Sequence, residues 1–168
     1  KLKKLGVKNL VVLSGDNQGT VDLVARELGL TEAHGHMLPG DKSTYIEKLK
    51  AKGHIVAFVG DGVNDSPSLA LAQIGIAMGS GTDVAIETSD VVLMNSDFSR
   101  LPHALGLTKA TANNMRQNII IAVGVVLILL ASVFFSEWMN MSIGMLVHEA
   151  SILFVILNGM RLLRYKLR

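Results

Sequence analysis

"HIVAFVGDGVNDSP", residues 54–67, decides the fold. Its first half is a β-branched and aromatic apolar run that stops at Gly60. Its second half sets Asp61 and Asp65 four residues apart around Gly62, before Ser66 and Pro67 open a helix. A strand apolar throughout belongs to a sheet covered on both faces. The turn that follows such a strand lies at the carboxyl edge, where parallel sheets bind ligands, and paired hard carboxylates there suit Mg²⁺. The plainer reading makes Asp61 the opening of a turn and Asp65 the cap of the next helix.

The same punctuation recurs on either side. Upstream, "LVVLSGD" is an apolar run broken at Gly15, "QGTVDLVARELGL" has helical spacing ending at Gly29, and "DKSTYIEKLKAKG" is an amphipathic helix closed by Gly53. Downstream, "IGIAMG" and "DVVLM" are short strands with "TDVAIETS" between them as a helical turn or two. Apolar strands alternating with helices predict an α/β domain with a doubly wound parallel sheet over residues 1–98. Ser14, Gly15 and Asp16 follow one strand and offer a hydroxyl, a free amide and a carboxylate suited to phosphoryl oxygens, and Lys42 opens a helix from which it reaches the same edge. His34 and His36, in "HGHMLPG", read as solvated loop histidines rather than a metal clip.

Beyond Ser99 the chemistry changes. Residues 99–117 are polar and helix-compatible, 118–136 form an uncharged run long enough to span a bilayer, and 138–160 form a second apolar segment interrupted only by His148 and Glu149. The joining "SEWMN" is short enough only for a hairpin, and a basic tail, 161–168, closes the chain. Lys109 and Arg116 precede the first span; Arg161, Arg164, Lys166 and Arg168 follow the second; the turn carries Glu137 and no cation. The positive-inside rule therefore puts both outer ends and the α/β domain in the cytoplasm, with Asn113, Asn114, Arg116 and Asn118 at the membrane boundary. His148 and Glu149 stand near the middle of the second span, where ionisable groups are costly and face a bundle interior or a pathway. Gly144, His148, Ser151, Val155 and Asn158 fall roughly on one helical stripe, with Met145 and Glu149 beside it. Imidazole beside carboxylate makes half a site for a divalent transition metal. A hydrophobic content of 49% is too high for a purely soluble chain, and a net charge of +2 without a basic stripe argues against nucleic acid as a partner. There is no cysteine for disulfides or thiolate sites. The opening "KLKKLGVKNL" reads as the tail of a helix, so the chain reads as a piece of a longer polypeptide.

"SGDN", "LPGDK" and "GDGVNDSPSLALAQIGIAMGSGTDVAIETSDVVLM", in this order, resemble the C-terminal half of the phosphorylation domain of P-type ATPases, which has the haloacid-dehalogenase-like fold. The resemblance implies that Asp61 holds Mg²⁺ with Asp65 completing the site, that Asn64 orients the group, that Lys42 neutralises phosphoryl charge, and that Ser14–Asp16 contact the phosphoryl group. "HEASILFVILNGMRLLR" is similar to the last membrane helix of the heavy-metal branch, in its His-Glu-Gly subgroup. This implies that His148 and Glu149, with Ser151, bind a transported zinc, cobalt or cadmium ion in a multi-pass cell-membrane exporter. Ser14 stands where the family usually has Thr, Ser66 and Ser68 where it has Ala, and Ala150 where the subgroup has Gly. The DKTG-type motif that supplies the aspartyl nucleophile does not occur in these residues. ATP binding and phosphorylation would then fall to an N-terminal portion of the same polypeptide, and this chain alone is expected to be inactive. Three alternatives remain at this level: a membrane-anchored phosphohydrolase of the same fold, a pump for another cation, and a non-enzymatic membrane subunit.

Overall fold

The computed structural model describes residues 1–94, 97–135 and 140–166. They divide into two compact units, 1–101 and 102–168. In the first, β1 (Val11–Leu13), α1 (Gln18–Leu28), β2 (Glu32–His34), α2 (Pro39–Ala51), β3 (Ala57–Gly60), α3 (Ser66–Leu71), β4 (Ile74–Met78), α4 (Asp83–Thr88) and β5 (Val91–Leu93) alternate strictly. Every strand pair is parallel, as the α/β reading requires, and hydrogen bonding groups the strands as β1–β2 and β3–β4–β5.

Local chemistry sets most boundaries. The Asn17 side chain caps α1 by accepting from the Thr20 amide, and Thr82 caps α4 by accepting from Ala85. Gly29 ends α1 in the left-handed conformation at φ 63°, where a β-carbon would be strained. Val21, Ile46, Leu69, Ile76, Ala77, Ala85 and Leu93 make the core, drawn from α1 to α4 and the second sheet. Ile46 and Leu69, each 1% exposed, are its largest wholly buried members.

The second unit is a helical hairpin. Its first helix, α5 (Leu101–Phe135), runs unbroken through the polar stretch and the apolar run. Its second, α6 (Met141–Met160), is capped by Asn140, whose side chain accepts from the Ile143 amide at 2.9 Å. The outer ends meet: the rings of His103 and Tyr165 lie 5.5 Å apart, which makes the helices antiparallel neighbours. Both helices are long and apolar enough to cross a membrane. Glu137, Trp138 and Arg168, on which the readings of the turn, the start of the second span and the last tail charge rest, lie outside the described residues, as does Ser136.

Leu69→Ala leaves a cavity under α3, and the urea midpoint of the chain should fall by an amount equivalent to about 3 kcal/mol at unchanged m-value.

Candidate functional site

The acidic edge is built by the end of β3 and the turn after it. Asp65 is 9% exposed, and its Oδ1 accepts from the Lys42 ammonium at 2.8 Å, an ion pair joining α2 to the start of α3. Asp65 makes no capping bond to α3, so the plain cap reading does not hold: the carboxylate is turned across to Lys42 instead. The main chain must let it pass. A β-carbon at residue 60 would come within 2.7 Å of the Asp65 β-carbon, so Gly60 is required by close approach. Asp61 is exposed, and its carbonyl accepts from the Thr82 amide at 3.1 Å, bringing the turn after β4 against the turn after β3. Asp61 and Asp65 line one cavity of about 260 Å³ with Val59, Gly60, Met78 and Phe98. Asn64 stands exposed between the two carboxylates in sequence.

This donor set fits Mg²⁺. Two carboxylates lining an open cavity are what that ion takes from protein while keeping waters and phosphate oxygens for its remaining positions. Groups of three or more His, Asp or Glu side chains arranged for a metal are absent among the described residues.

Ser14, Gly15 and Asp16 form a second group after β1. The Ser14 hydroxyl donates to Asp16 Oδ2 at 2.7 Å and accepts from the Asp16 amide at 3.2 Å. The backbone ties this turn to the loop before α2: Met37 N–H donates to the Ser14 carbonyl and His36 N–H to that of Asp16. Gln18, which the sequence did not single out, braces the loop by accepting from the Gly35 amide at 2.6 Å and donating to the Ala33 carbonyl and Asp22. α2 itself is anchored to β2 through Tyr45, whose hydroxyl donates to Glu32 at 2.6 Å. His34 joins this contact, with its ring 4.9 Å from that of Tyr45 and Nε2 3.3 Å from Glu32, so it is engaged rather than merely solvated. Burial, and then the bond to Glu32, push the Tyr45 hydroxyl up to about 12, while the Tyr45 and His34 bonds hold Glu32 below the usual carboxylate range. A wider hollow of about 400 Å³ touches Asp22, Arg26 and Glu32, but it opens at the amino end of β2, the edge away from ligand sites.

In the hairpin, His148 and Glu149 are both exposed on α6. Ser151 is half-buried and donates to the His148 carbonyl at 2.6 Å, a bond within its own helix. At about 100° per residue Ser151 lies nearly opposite Glu149, so the structure does not bring these two side chains together.

Family models described as haloacid dehalogenase-like hydrolase match residues 1–73 and 42–105. Over 167 residues, 99% of the chain, it is 44% identical to a probable cadmium-transporting ATPase of Staphylococcus aureus, of which it covers 21%. Over 98% of the chain it is 40% identical to the zinc-transporting ATPase of Bacillus subtilis, of which it covers 25%. A crystal structure of a zinc-transporting PIB-type ATPase in the E2.Pi state superposes with a TM-score of 0.84 at 40% identity, covering 97% of this chain and 26% of that one. The chain therefore spans between a fifth and a quarter of the length of these two curated relatives.

Two outcomes follow from this geometry. The Ser66 hydroxyl is buried without a hydrogen-bond partner among the described residues, so Ser66→Ala should leave stability unchanged or raise it by about 1 kcal/mol, read as a higher unfolding midpoint. A folded-state hydroxyl pKa raised above its unfolded value stabilises below about pH 10 and loses that contribution as pH rises toward 12. The stability difference between the parent and Tyr45→Phe should therefore shrink across that window in alkaline unfolding titrations.

Proposed function

Starting from a chain that belongs by sequence and fold to the metal-transporting P-type ATPases, we propose that it supplies the Mg²⁺-binding acidic edge and a membrane hairpin to an ATP-driven exporter of zinc, cadmium or cobalt. The observation that carries the reading is the pairing of Lys42 with Asp65 at the rim of the cavity that Asp61 shares, in one chain with two candidate spans of which the second bears His148 and Glu149.

In this reading phosphoryl transfer at the edge is electrostatic positioning. Lys42 keeps one oxygen of Asp65 occupied and brings a cation to the rim, where phosphoryl charge gathers. Asp61 and Asp65 hold Mg²⁺, which when bound supplies charge neutralisation for the phosphoryl oxygens. Asn64 orients the group from between them, and the Ser14 hydroxyl and Gly15 amide are donors for phosphoryl oxygens once Ser14 turns from Asp16. The nucleophilic aspartate and the main ATP site belong to the rest of the polypeptide, and the chain alone does not turn over ATP. In the membrane His148 and Glu149 are ligands for the transported ion, with Ser151 adjoining them in sequence. The basic residues flanking the hairpin place its outer ends in the cytoplasm.

The test is metal-dependent ATPase activity and acyl-phosphate formation of the complete polypeptide across Zn²⁺, Co²⁺, Cd²⁺, Fe²⁺ and Cu⁺. Stimulation by a divalent metal should drop by about tenfold or more in His148→Ala, and Asp61→Ala should abolish Mg²⁺-dependent turnover in every metal. A response flat across all metals removes the exporter reading.

A further inference from the structure

Between α5 and α6 lies a closed ring of amides that the pump reading leaves unused. Asn158 Nδ2 donates to Asn118 Oδ1 at 2.8 Å, Asn118 Nδ2 donates to Asn114 Oδ1 at 3.2 Å, and Asn114 Nδ2 returns to the backbone carbonyl of Asn158 at 2.8 Å. A longer branch of 3.4 Å runs from Asn158 Nδ2 to Gln117. The direction of the ring is fixed at both ends. Arg161, which can only donate, reaches Asn158 Oδ1 at 2.9 Å and so turns the amide nitrogen of Asn158 toward α5; the carbonyl that closes the ring can only accept. Each asparagine thus has one working orientation. Asn114 is 7% exposed, where an unpaired amide is costly, and the Asn158 carbonyl it reaches, which also accepts a backbone N–H at the end of α6, has a second lone pair to offer.

Turning Asn158 to α5 fixes the azimuth of the whole helix. Gly144, Ser151 and Val155 fall near Asn158 and are half-buried. Glu149, nine residues before Asn158, falls about half a turn around the helix, and His148 about 80° from Asn158; both are exposed.

We propose that the Asn114–Asn118–Asn158 ring is a positioning clasp that sets the rotation of α6, directing Glu149 away from α5 and His148 beside it, toward ligands supplied from outside the hairpin. What the two side chains hold rests on the exporter reading; the rotation does not. Amides suit this task because, at the membrane boundary, they bond between helices without adding a charge of their own.

The complete polypeptide in membranes tests the clasp with one introduced cysteine pair, Ile121→Cys with Val155→Cys. These half-buried positions lie about one turn further into the hairpin than Asn118 and Asn158; the 168 residues hold no other cysteine, and controls carrying each introduced cysteine singly read any link to the rest of the polypeptide. Asn118→Leu removes both bonds that Asn118 makes and leaves Asn114 to the Asn158 carbonyl as the one ring bond between the helices, whereas Asn118→Asp keeps the oxygen that accepts from Asn158 across the helices. In Asn118→Leu, cross-linking should fall several-fold and KM for Zn²⁺ in the ATPase assay should rise about tenfold with kcat held within about twofold. In Asn118→Asp most of both should survive. Unchanged cross-linking in Asn118→Leu, a fall in cross-linking with no change in KM, or identical behaviour of the two variants overturns the proposal. A metal response indifferent to His148→Ala rejects the exporter reading instead, and cross-linking alone then decides the rotation.

Discussion

The acidic edge depends on the Lys42–Asp65 ion pair. Asp61 and Asp65 share one cavity, and a cation stands against one of the two carboxylates there. Lys42 does so from 23 residues away, across α2 and α3, with both side chains largely shielded from water. Such a pair gives little net stability over an apolar contact, but removing one partner strands a buried charge and is strongly destabilising. The surrounding structure serves this geometry: Gly60 yields the space that Asp65 enters, and the Glu32–Tyr45 bond seats the helix that carries Lys42.

What the sequence disclosed follows the range of the forces involved. Asn17, Gly29 and Thr82 act on amides or dihedrals within a few residues, and Gly29 ends α1 where the sequence placed its end. Asp65 shows where that logic stops: the local rule favours a helix cap, but a distant ammonium is the stronger partner and takes the carboxylate. Gln18 and Phe98 escaped notice, and Asn114 and Asn118 were not joined to Asn158, for the same reason: the partners that matter lie 15 to 44 residues away, where no periodicity reveals them. His34 and His36 looked alike in one loop. Only the fold distinguishes a ring against Tyr45 from one held at positive φ, its Nε2 facing the Gln18 amide.

The hairpin obeys a different solvent. Phe134, Phe135 and Leu146 are more than two-thirds exposed, a surface that water penalises and hydrocarbon accepts. In that setting helices gain nothing from burying leucine against leucine, so specificity falls to polar contacts and small residues. The amide ring at the outer end of the hairpin and the half-buried stripe through Gly144 and Ser151 are contacts of this kind.

The length of α5 has a mechanical corollary. Thirty-five residues make a rod of about 50 Å, well beyond the roughly 30 Å of a bilayer's hydrocarbon, and its one proline, Pro102, sits in the first turn, where it does not kink the helix. With no proline beyond its first turn, such a rod has no proline hinge at which to absorb a nudge at one end. A tilt of about 5° pivoted at Pro102 sweeps Phe135 through about 4 Å, so a leverage of this kind turns a side-chain-sized shift outside the lipid into a displacement larger than an ion's radius within it.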